Sequence, residues 1–298
     1  MKTETCRNLV GVGLLAVAAW MQPAAAETTE CIVIDSVPAV ISSQGVYCLK
    51  KHVNGALASG AAISVTTNNV TIDCNEFKIG NLAAGPATQA TGILATGRNN
   101  VTVRNCGVRG FQTGIALVDG QYRVEDNRLD YNTRTGILVS GSGSAVRGNE
   151  VVATGGGTAP GTSQVEGIRA SGGLDVVDNN ITGVVGAAGA NGNVYGILAD
   201  DMDAGLIRNN RVRELAPTGS GFRRGIWVTN GNRVTVKSNT VVLNGSLLSL
   251  DAGIRCGDGL ILNGVAQDNT ILGTGVLGTA LGLINCTNLG GINYINPL

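Results

Sequence analysis

The chain has 298 residues with 21 basic and 21 acidic side chains, so its net charge is close to zero. This balance excludes the strongly basic face that binds nucleic acid or an anionic membrane. Glycine is abundant, with 45 residues, whereas aromatic residues make up only 3% and hydrophobic residues 43%. Because disordered chains are poor in hydrophobic residues, this composition indicates a folded chain of short strands and tight turns around an aliphatic interior.

The N-terminus has the features of an export signal. Lys2 and Arg7 precede an apolar run over residues 9–20, and three consecutive alanines end at Ala26. The run is too short for a membrane span and no second one follows it, so we predict a signal peptide at residues 1–26. The mature protein is then expected in the periplasm or outside the cell.

A repeated pattern runs through the rest of the chain. One element is a glycine followed by an aliphatic residue, and these aliphatic residues are Ile93, Ile115, Ile137, Ile168, Ile197, Ile226, Ile254 and Leu283. A second element lies between these glycines and reads apolar residue, any two residues, asparagine, any one residue, apolar residue. Its asparagine position is occupied, with Cys106 as the exception, by Asn75, Cys106, Asn127, Asn149, Asn179, Asn210, Asn239 and Asn269. Because the apolar residues alternate at period two, the pattern predicts strands and excludes helices.

Each repeat is predicted to form one coil of three short strands, and each strand pairs in parallel with its equivalent in the next coil. We number the coils by the glycine that opens them, from Gly92 for coil one to Gly253 for coil seven. Inward side chains of the third strands would stack as Phe77, Val108, Leu129, Val151, Ile181, Val212, Val241 and Ile271. The asparagines lie at the bend before that strand, where their amides can form a ladder between coils.

These repeats resemble those of the right-handed parallel β-helix family, the fold of pectate lyases and many carbohydrate-active proteins. The strings Asn-Asn-Val-Thr-Val-Arg-Asn-Cys (99–106) and Gly-Ile-Ala-Leu (114–117) carry the resemblance. The expected fold class is therefore all-β, a right-handed parallel β-helix of about eight coils over residues 61–298, including a C-terminal cap. Residues 27–60 look like the cap and lead-in strand of such helices. The repeat encodes stacking and says little about chemistry.

Six cysteines remain after the signal peptide, and an even number in an exported protein favours disulfides. In the register of the repeat, two pairs lie in adjacent coils, and the remaining pair would staple the N-terminal cap. The predicted bridges are Cys31–Cys48, Cys74–Cys106 and Cys256–Cys286. The only histidine is His52 and no Cys-x-x-Cys pair occurs, so a zinc site is not expected.

The resemblance also implies a place for a site, because enzymes of this family bind substrate along the outside of the first strand. The loops that precede this strand are long in coil one and from coil four onward. Coils four to seven place these residues on or beside that strand: Glu166, Arg169, Tyr195, Asp200, Arg224, Trp227 and Arg255. Since indole stacks on sugar rings and guanidinium groups hold carboxylates, Arg169, Trp227 and Arg255 are the predicted binding residues for a polysaccharide.

Two reactions fit the remaining residues. A lyase acting on a uronate polymer needs a cation such as Arg224 and a base such as Tyr195. A hydrolase needs two carboxylates, for which Glu166 and Asp200 are the candidates. We predict a lyase in preference to a hydrolase. Asp200 and Asp201 are also candidate ligands for Ca²⁺, so the expected cofactor is Ca²⁺ or none.

The same outward side chains have a structural interpretation. Charged residues on a solenoid commonly form solvated ladders of alternating sign, as Arg104, Glu125 and Arg147 are expected to do on the second strand. The alternative to a polysaccharide-binding protein is therefore a non-catalytic structural or adhesive β-helix. Neither hypothesis includes nucleic acid or a membrane span, and the oligomeric state is left open.

Overall fold

The computed structural model describes residues 30–161, 163–189, 191–244, 250–257, 264–273, 283–288 and 294–297. Its described strands form three sheets, and within each sheet neighbouring strands are parallel and come from successive coils. The predicted all-β parallel β-helix is therefore confirmed. The signal peptide predicted at residues 1–26 lies outside the described residues. No helix among the described residues is long and apolar enough to cross a membrane.

The three sheets are named by the order of their strands within a coil. The first sheet contains Ala39–Ile41, Ala61–Val65, Thr91–Thr96, Thr113–Val118, Thr135–Ser140, Gln164–Ser171, Asn193–Asp200, Arg223–Thr229, Ala252–Cys256 and Leu283–Ile284. The second sheet contains Ile32–Val33, Gly45–Cys48, Val70–Asp73, Val101–Arg104, Tyr122–Glu125, Ala145–Arg147, Asp175–Val177, Leu206–Arg208, Val234–Lys237, Gly264–Gln267 and Thr287–Asn288. The third sheet contains Val53–Asn54, Lys78–Gly80, Gly107–Arg109, Arg128–Asp130, Glu150–Val152, Asn180–Val185, Arg211–Ala216, Thr240–Leu243, Thr270–Gly273 and Tyr294–Pro297. A short 3-10 helix spans Leu82–Ala84.

The glycine that opens each coil is required by the spacing between coils. A Cβ atom added to Gly167 would lie 2.7 Å from the carbonyl oxygen of Gly196, and 2.5 Å from the Ile181 side chain. A real Cβ cannot approach these atoms so closely, so a larger residue would push adjacent coils apart. The aliphatic residues that follow these glycines pair from coil to coil as predicted, from Ile93 to Leu283. They are buried from Ile93 to Ile254, and Leu283 is partly buried.

The aliphatic column of the third sheet is confirmed from Val108 to Ile271 but is wrong at its first member. Val108 pairs with Ile79, not with Phe77. Two additional residues in the preceding bend cause the shift, since Asn75 and Glu76 both have positive φ angles there. The additional turn moves the strand of this coil two residues along the chain relative to the repeat.

The predicted asparagine ladder exists from Asn127 to Asn269. In each step the backbone N–H and the side-chain Nδ2 of one asparagine donate to Oδ1 of the next; for Asn179 and Asn210 these distances are 3.0 and 2.9 Å. All six asparagines are buried. Asn75 is not a member, because the next position of the ladder is Cys106, which has no amide oxygen. Asn75 Nδ2 donates to the Leu49 carbonyl. The ladder satisfies buried polar groups at every bend and so fixes the register of the coils.

Three disulfides connect the cysteine pairs predicted from the register, Cys31–Cys48, Cys74–Cys106 and Cys256–Cys286. The first joins two neighbouring strands of the second sheet at the N-terminal end. The segment predicted as a cap is continuous with the solenoid, since Ala39–Ile41 pairs with the first-sheet strand Ala61–Val65. The expected charge ladder is also present, because Glu125 pairs with both Arg104 and Arg147.

Candidate functional site

The outer face of the first sheet brings the predicted site residues together in coils four to seven. One column of paired residues contains Thr135, Glu166, Tyr195, Arg224 and Ala252. A second column, three residues further along each strand, contains Leu138, Arg169, Leu198, Trp227 and Arg255. Every residue of the first column is buried, whereas Arg169, Trp227 and Arg255 of the second are partly exposed. The outer face of the first sheet therefore has one buried column of side chains and, beside it, one column that is partly exposed.

Four of these side chains form a compact group, which we call the aromatic cluster: Tyr195, Phe222, Arg224 and Trp227. The Tyr195 and Trp227 rings are stacked, with centroids 5.2 Å apart and an interplanar angle of 25°. Phe222 meets Tyr195 edge to face at 6.0 Å. The Arg224 guanidinium lies 3.9 Å from the Trp227 centroid and 4.4 Å from that of Phe222, so it forms cation–π contacts with both.

The environment of Trp227 differs from the one expected from the sequence. The indole points outward as expected, but it is only partly exposed, because Tyr195 and Arg224 both pack against it. Tyr195 and Arg224 themselves are buried. A ligand on this surface therefore meets the exposed part of the indole, while the two buried side chains hold the ring in place.

A second group lies one coil nearer the N-terminus and contains the two predicted carboxylates. Arg169 bridges them, with Nη2 2.5 Å from Asp200 Oδ2 and Nη1 3.8 Å from Glu166 Oε1. Asn230 Nδ2 donates to Asp200 Oδ1 at 3.1 Å, and Thr135 Oγ1 donates to Glu166 Oε2 at 2.7 Å. We call Glu166 and Asp200 the carboxylate pair. Because one guanidinium contacts both, they lie within the separation of roughly 5–10 Å that paired glycosidase carboxylates show.

The environment of the two carboxyl groups differs. Burial raises the pKa of Glu166, and the hydrogen bond from Thr135 together with the charges of Arg134 and Arg169 opposes that rise without cancelling it. Glu166 Oε1 is buried and accepts no hydrogen bond among the described residues. Asp200 is partly exposed and is paired with Arg169. The buried Glu166 carboxyl thus favours its protonated form, next to an Asp200 carboxylate that forms an ion pair with Arg169.

The residues proposed for Ca²⁺ do not fit such a site. Calcium takes six to eight oxygen ligands in proteins. Asp200 is already neutralised by Arg169, and Asp201 is exposed at a turn with a φ of 57°. In the part of the chain that the structure describes, no three His, Cys, Asp or Glu side chains come together as a metal site. No chemical step is therefore assigned to a metal here.

Sequence reasoning missed three contributors to this face. Phe222 lies in a loop outside the repeat, Thr135 lies in coil three, and Asn230 follows the end of a strand. The parallel register, once known, places Thr135 directly beside Glu166. No sequence pattern distinguishes Phe222, although its position two residues before Arg224 is consistent with a stacking role.

The family comparison agrees with this architecture. The family model described as the right handed beta helix region matches residues 24–181, more than half of the chain. The chain belongs to this family. The predicted right-handed parallel β-helix is thereby confirmed as a family assignment as well as a fold. No curated protein matches the chain.

Solved structures of similar fold include the following three proteins. The enzymatically active domain of tailspike protein 2 from bacteriophage CBA120 has 11% identity and a TM-score of 0.48, covering 86% of this chain and 41% of that one. DFA-IIIase from Arthrobacter chlorophenolicus A6, in complex with DFA-III, has 14% identity and a TM-score of 0.47, covering 83% and 60%. The mannuronan C-5 epimerase A-module of Azotobacter vinelandii has 12% identity and a TM-score of 0.47, covering 88% of each chain. The chain spans less than two thirds of the first two proteins.

Proposed function

We propose that this protein is an exported β-helix protein that binds a polysaccharide along the outer face of its first sheet, in coils four to seven. The observation that carries the proposal is the aromatic cluster. The interior is filled mainly by aliphatic side chains, with Tyr47, Phe111 and Tyr122 among them, whereas Tyr195, Phe222 and Trp227 gather on the outside of a sheet. Aromatic side chains that are held rigidly at a surface are a common means of binding sugar rings and other ligands with apolar faces.

The contacts within the aromatic cluster hold its rings in one orientation, which favours a role in ligand binding over a role in stabilising the fold. Arg224 fixes the orientation of both Phe222 and Trp227 by cation–π contact, and Tyr195 supports the indole from the preceding coil. A ring that is already immobilised loses little conformational entropy when a ligand binds. Arg169 and Arg255 lie in the same outward column and can donate hydrogen bonds to sugar hydroxyl or carboxylate groups.

The carboxylate pair favours glycoside hydrolysis as a second candidate function. A general acid must hold its proton near neutral pH, and burial shifts Glu166 in that direction. Asp200 is the partner carboxylate, and it forms an ion pair with Arg169. In this scheme Glu166 protonates the leaving oxygen, and Asp200 either activates water or attacks the sugar. Arg169 has to move aside for substrate to reach Glu166, because that carboxyl is buried.

The lyase hypothesis meets a similar obstacle. That reaction needs a cation free to neutralise the substrate carboxylate. Arg169 is bound to Asp200 and Arg224 is buried between Phe222 and Trp227, so the partly exposed Arg255 is the remaining candidate cation. Tyr195, the candidate base, is buried behind the indole. Elimination therefore needs Tyr195 to be uncovered, as hydrolysis needs Arg169 to leave Glu166, whereas binding alone needs neither movement.

Export is supported by the cysteines and by the N-terminal sequence. Three disulfides join the described cysteine residues, and such bonds persist in the periplasm and outside the cell. The apolar run over residues 9–20 supplies a signal for that route.

The experiment is a panel of acidic and neutral polysaccharides, for example polygalacturonate, alginate and dextran, incubated with mature protein. Binding is followed by affinity electrophoresis, and products by reducing ends and by ultraviolet absorbance of unsaturated sugars. We expect at least one polysaccharide in the gel to slow the migration of the protein. Reducing ends without absorbance would support hydrolysis by the carboxylate pair, and absorbance would support the lyase. Absence of binding and of product across the panel would favour the structural or adhesive alternative.

A further inference from the structure

A groove lies apart from the site described above, between the loop that carries the 3-10 helix and the turn that follows Arg128–Asp130. It encloses a cavity of about 200 Å³. The cavity is lined by Leu82, Gly85, Pro86, Gly110, Tyr131 and Thr133. None of these residues belongs to the aromatic cluster or to the carboxylate pair, so this groove is a separate feature of the surface.

Two large apolar side chains line this groove while remaining half exposed. Leu82 is 51% exposed and Tyr131 is 55% exposed. The Tyr131 ring is held from one side, since the Arg109 guanidinium lies 5.4 Å from its centroid. Arg109 is itself fixed by Asp130, with Nη2 3.4 Å from Oδ2. The ring is therefore presented to solvent in a defined orientation, as in a preorganised binding site.

The frame of the groove is built by the long loop of coil four, which reaches back across two coils. The backbone N–H of Gly157 donates to the Thr133 carbonyl at 3.2 Å. The N–H of Thr158 donates to the Pro86 carbonyl at 3.0 Å, which ties this loop to the loop of coil one. Backbone hydrogen bonds between the two loops make the cavity a fixed element of the fold.

A polar group in the groove points to a ligand that carries hydroxyl groups. Thr133 lines the cavity and is buried, and its Oγ1 has no hydrogen-bond partner among the described residues. A buried polar atom without a partner is costly, so such atoms commonly mark a place for water or ligand.

We propose that the groove between Leu82 and Tyr131 is a second sugar-binding site, which takes a single pyranose ring. The apolar face of the ring lies against Tyr131 and Leu82, and its hydroxyl groups approach Thr133. A cavity of this size suits one sugar unit and not an extended chain. The site is independent of the polysaccharide site proposed for coils four to seven, so either can exist without the other.

The test is a titration of the full mature protein with methyl glucopyranoside, galactopyranoside, mannopyranoside and galacturonate. It is monitored through the NMR signals of the tyrosine rings and through saturation transfer to the glycoside, which also reports on Tyr131→Ala. We expect at least one glycoside to shift the Tyr131 signals saturably, with a Kd on the order of 1 mM as for ligands of this size. Tyr131→Ala and Leu82→Ala should each weaken that binding about tenfold or more. Leu82→Ala reports independently if Tyr131→Ala perturbs the turn.

Two controls separate this site from the other. Val40→Ala removes an apolar side chain of similar exposure from the N-terminal end of the first sheet and should leave glycoside binding unchanged. Trp227→Ala should also leave it unchanged. The proposal is overturned if no glycoside shifts Tyr131, or if Tyr131→Ala and Leu82→Ala both bind like the wild type. Loss of binding in Trp227→Ala alone would assign the sugar to the other site.

Discussion

At the scale of single residues, Glu166 is the side chain with the clearest consequence for stability. It is buried beside Arg169, and one carboxyl oxygen accepts no hydrogen bond among the described residues. Because burial raises its pKa in the folded protein, the folded state binds the proton more tightly than the unfolded state. Stability is then highest below the unfolded pKa and falls as pH rises through the interval up to the folded pKa.

Replacement of Glu166 by glutamine should reveal this dependence, because the amide is neutral at every pH. We expect Glu166→Gln to have nearly wild-type stability near pH 4 and to become progressively more stable than the wild type towards neutral pH. Each pKa unit of displacement corresponds to about 1.4 kcal/mol. The measurement is the urea midpoint of both proteins over a series of pH values.

Glu214 provides the matched control, since it also accepts a hydrogen bond from a threonine, Thr182, but is exposed. Glu214→Gln should show no comparable trend with pH. A difference between Glu166→Gln and the wild type that stays constant with pH, or that reverses sign, would contradict the account of Glu166.

The positions of such residues could be predicted from the sequence, but their contacts could not. Alternation at period two was enough to place Arg169 and Trp227 on the outside of one sheet. Glu166, three residues before Arg169, lies on the same face because the pairing register skips Gly167. The salt bridge between Arg169 and Asp200 and the cation–π contact of Arg224 with Trp227 depend on side-chain rotamers, which a repeat pattern does not specify. This is why the sequence indicated an exposed indole and free arginines where the structure has engaged ones.

At the scale of the repeated element, substitution in the asparagine ladder is expected to cause the largest loss in the free energy of unfolding. Asn179 donates to the Val146 carbonyl and to Asn210, and its Oδ1 accepts from the backbone and side chain of Asn149. Asn179→Ala leaves several buried groups without partners, each costing about 1–3 kcal/mol. We expect a loss of about 3 kcal/mol or more, measured by urea unfolding.

The neighbouring residue supplies a control in the same bend. Asn180 is half-buried, and its Oδ1 has no hydrogen-bond partner among the described residues. Asn180→Ala should therefore change stability by no more than about 0.5 kcal/mol. Equal effects of the two substitutions would show that the ladder does not stabilise the fold.

The register of these elements was largely readable from the sequence, since identical spacings repeat in successive coils. The exception at Phe77 has a physical origin, because Asn75 and Glu76 form an additional turn with positive φ angles. The repeat spacing alone cannot reveal such a bulge when asparagine stands at the expected place. The disulfide of Cys74 with Cys106 also replaces the ladder contact in that coil.

At the scale of the whole molecule, the solenoid creates one continuous outer face on which residues distant in sequence become neighbours. Glu166, Asp200 and Trp227 come from three successive coils, separated by roughly 5 Å per coil. The fold could be predicted because every coil repeats it. The groove between Leu82 and Tyr131 could not, because it depends on how the loop of coil four returns to coil one, and loops lie outside the repeat.

The central claim is that a polysaccharide binds the outer face of the first sheet. The most direct test compares the affinities of wild type and Trp227→Ala for a polysaccharide that the panel has shown to bind the wild type. Leu138→Ala is the matched control, since Leu138 occupies the same outward column in coil three, away from the aromatic cluster. Loss of the indole removes the exposed ring and releases Tyr195 and Arg224, so we expect affinity to fall about tenfold or more. Leu138→Ala should bind like the wild type. Unchanged affinity in a folded Trp227→Ala protein would contradict the placement of a polysaccharide site on this face.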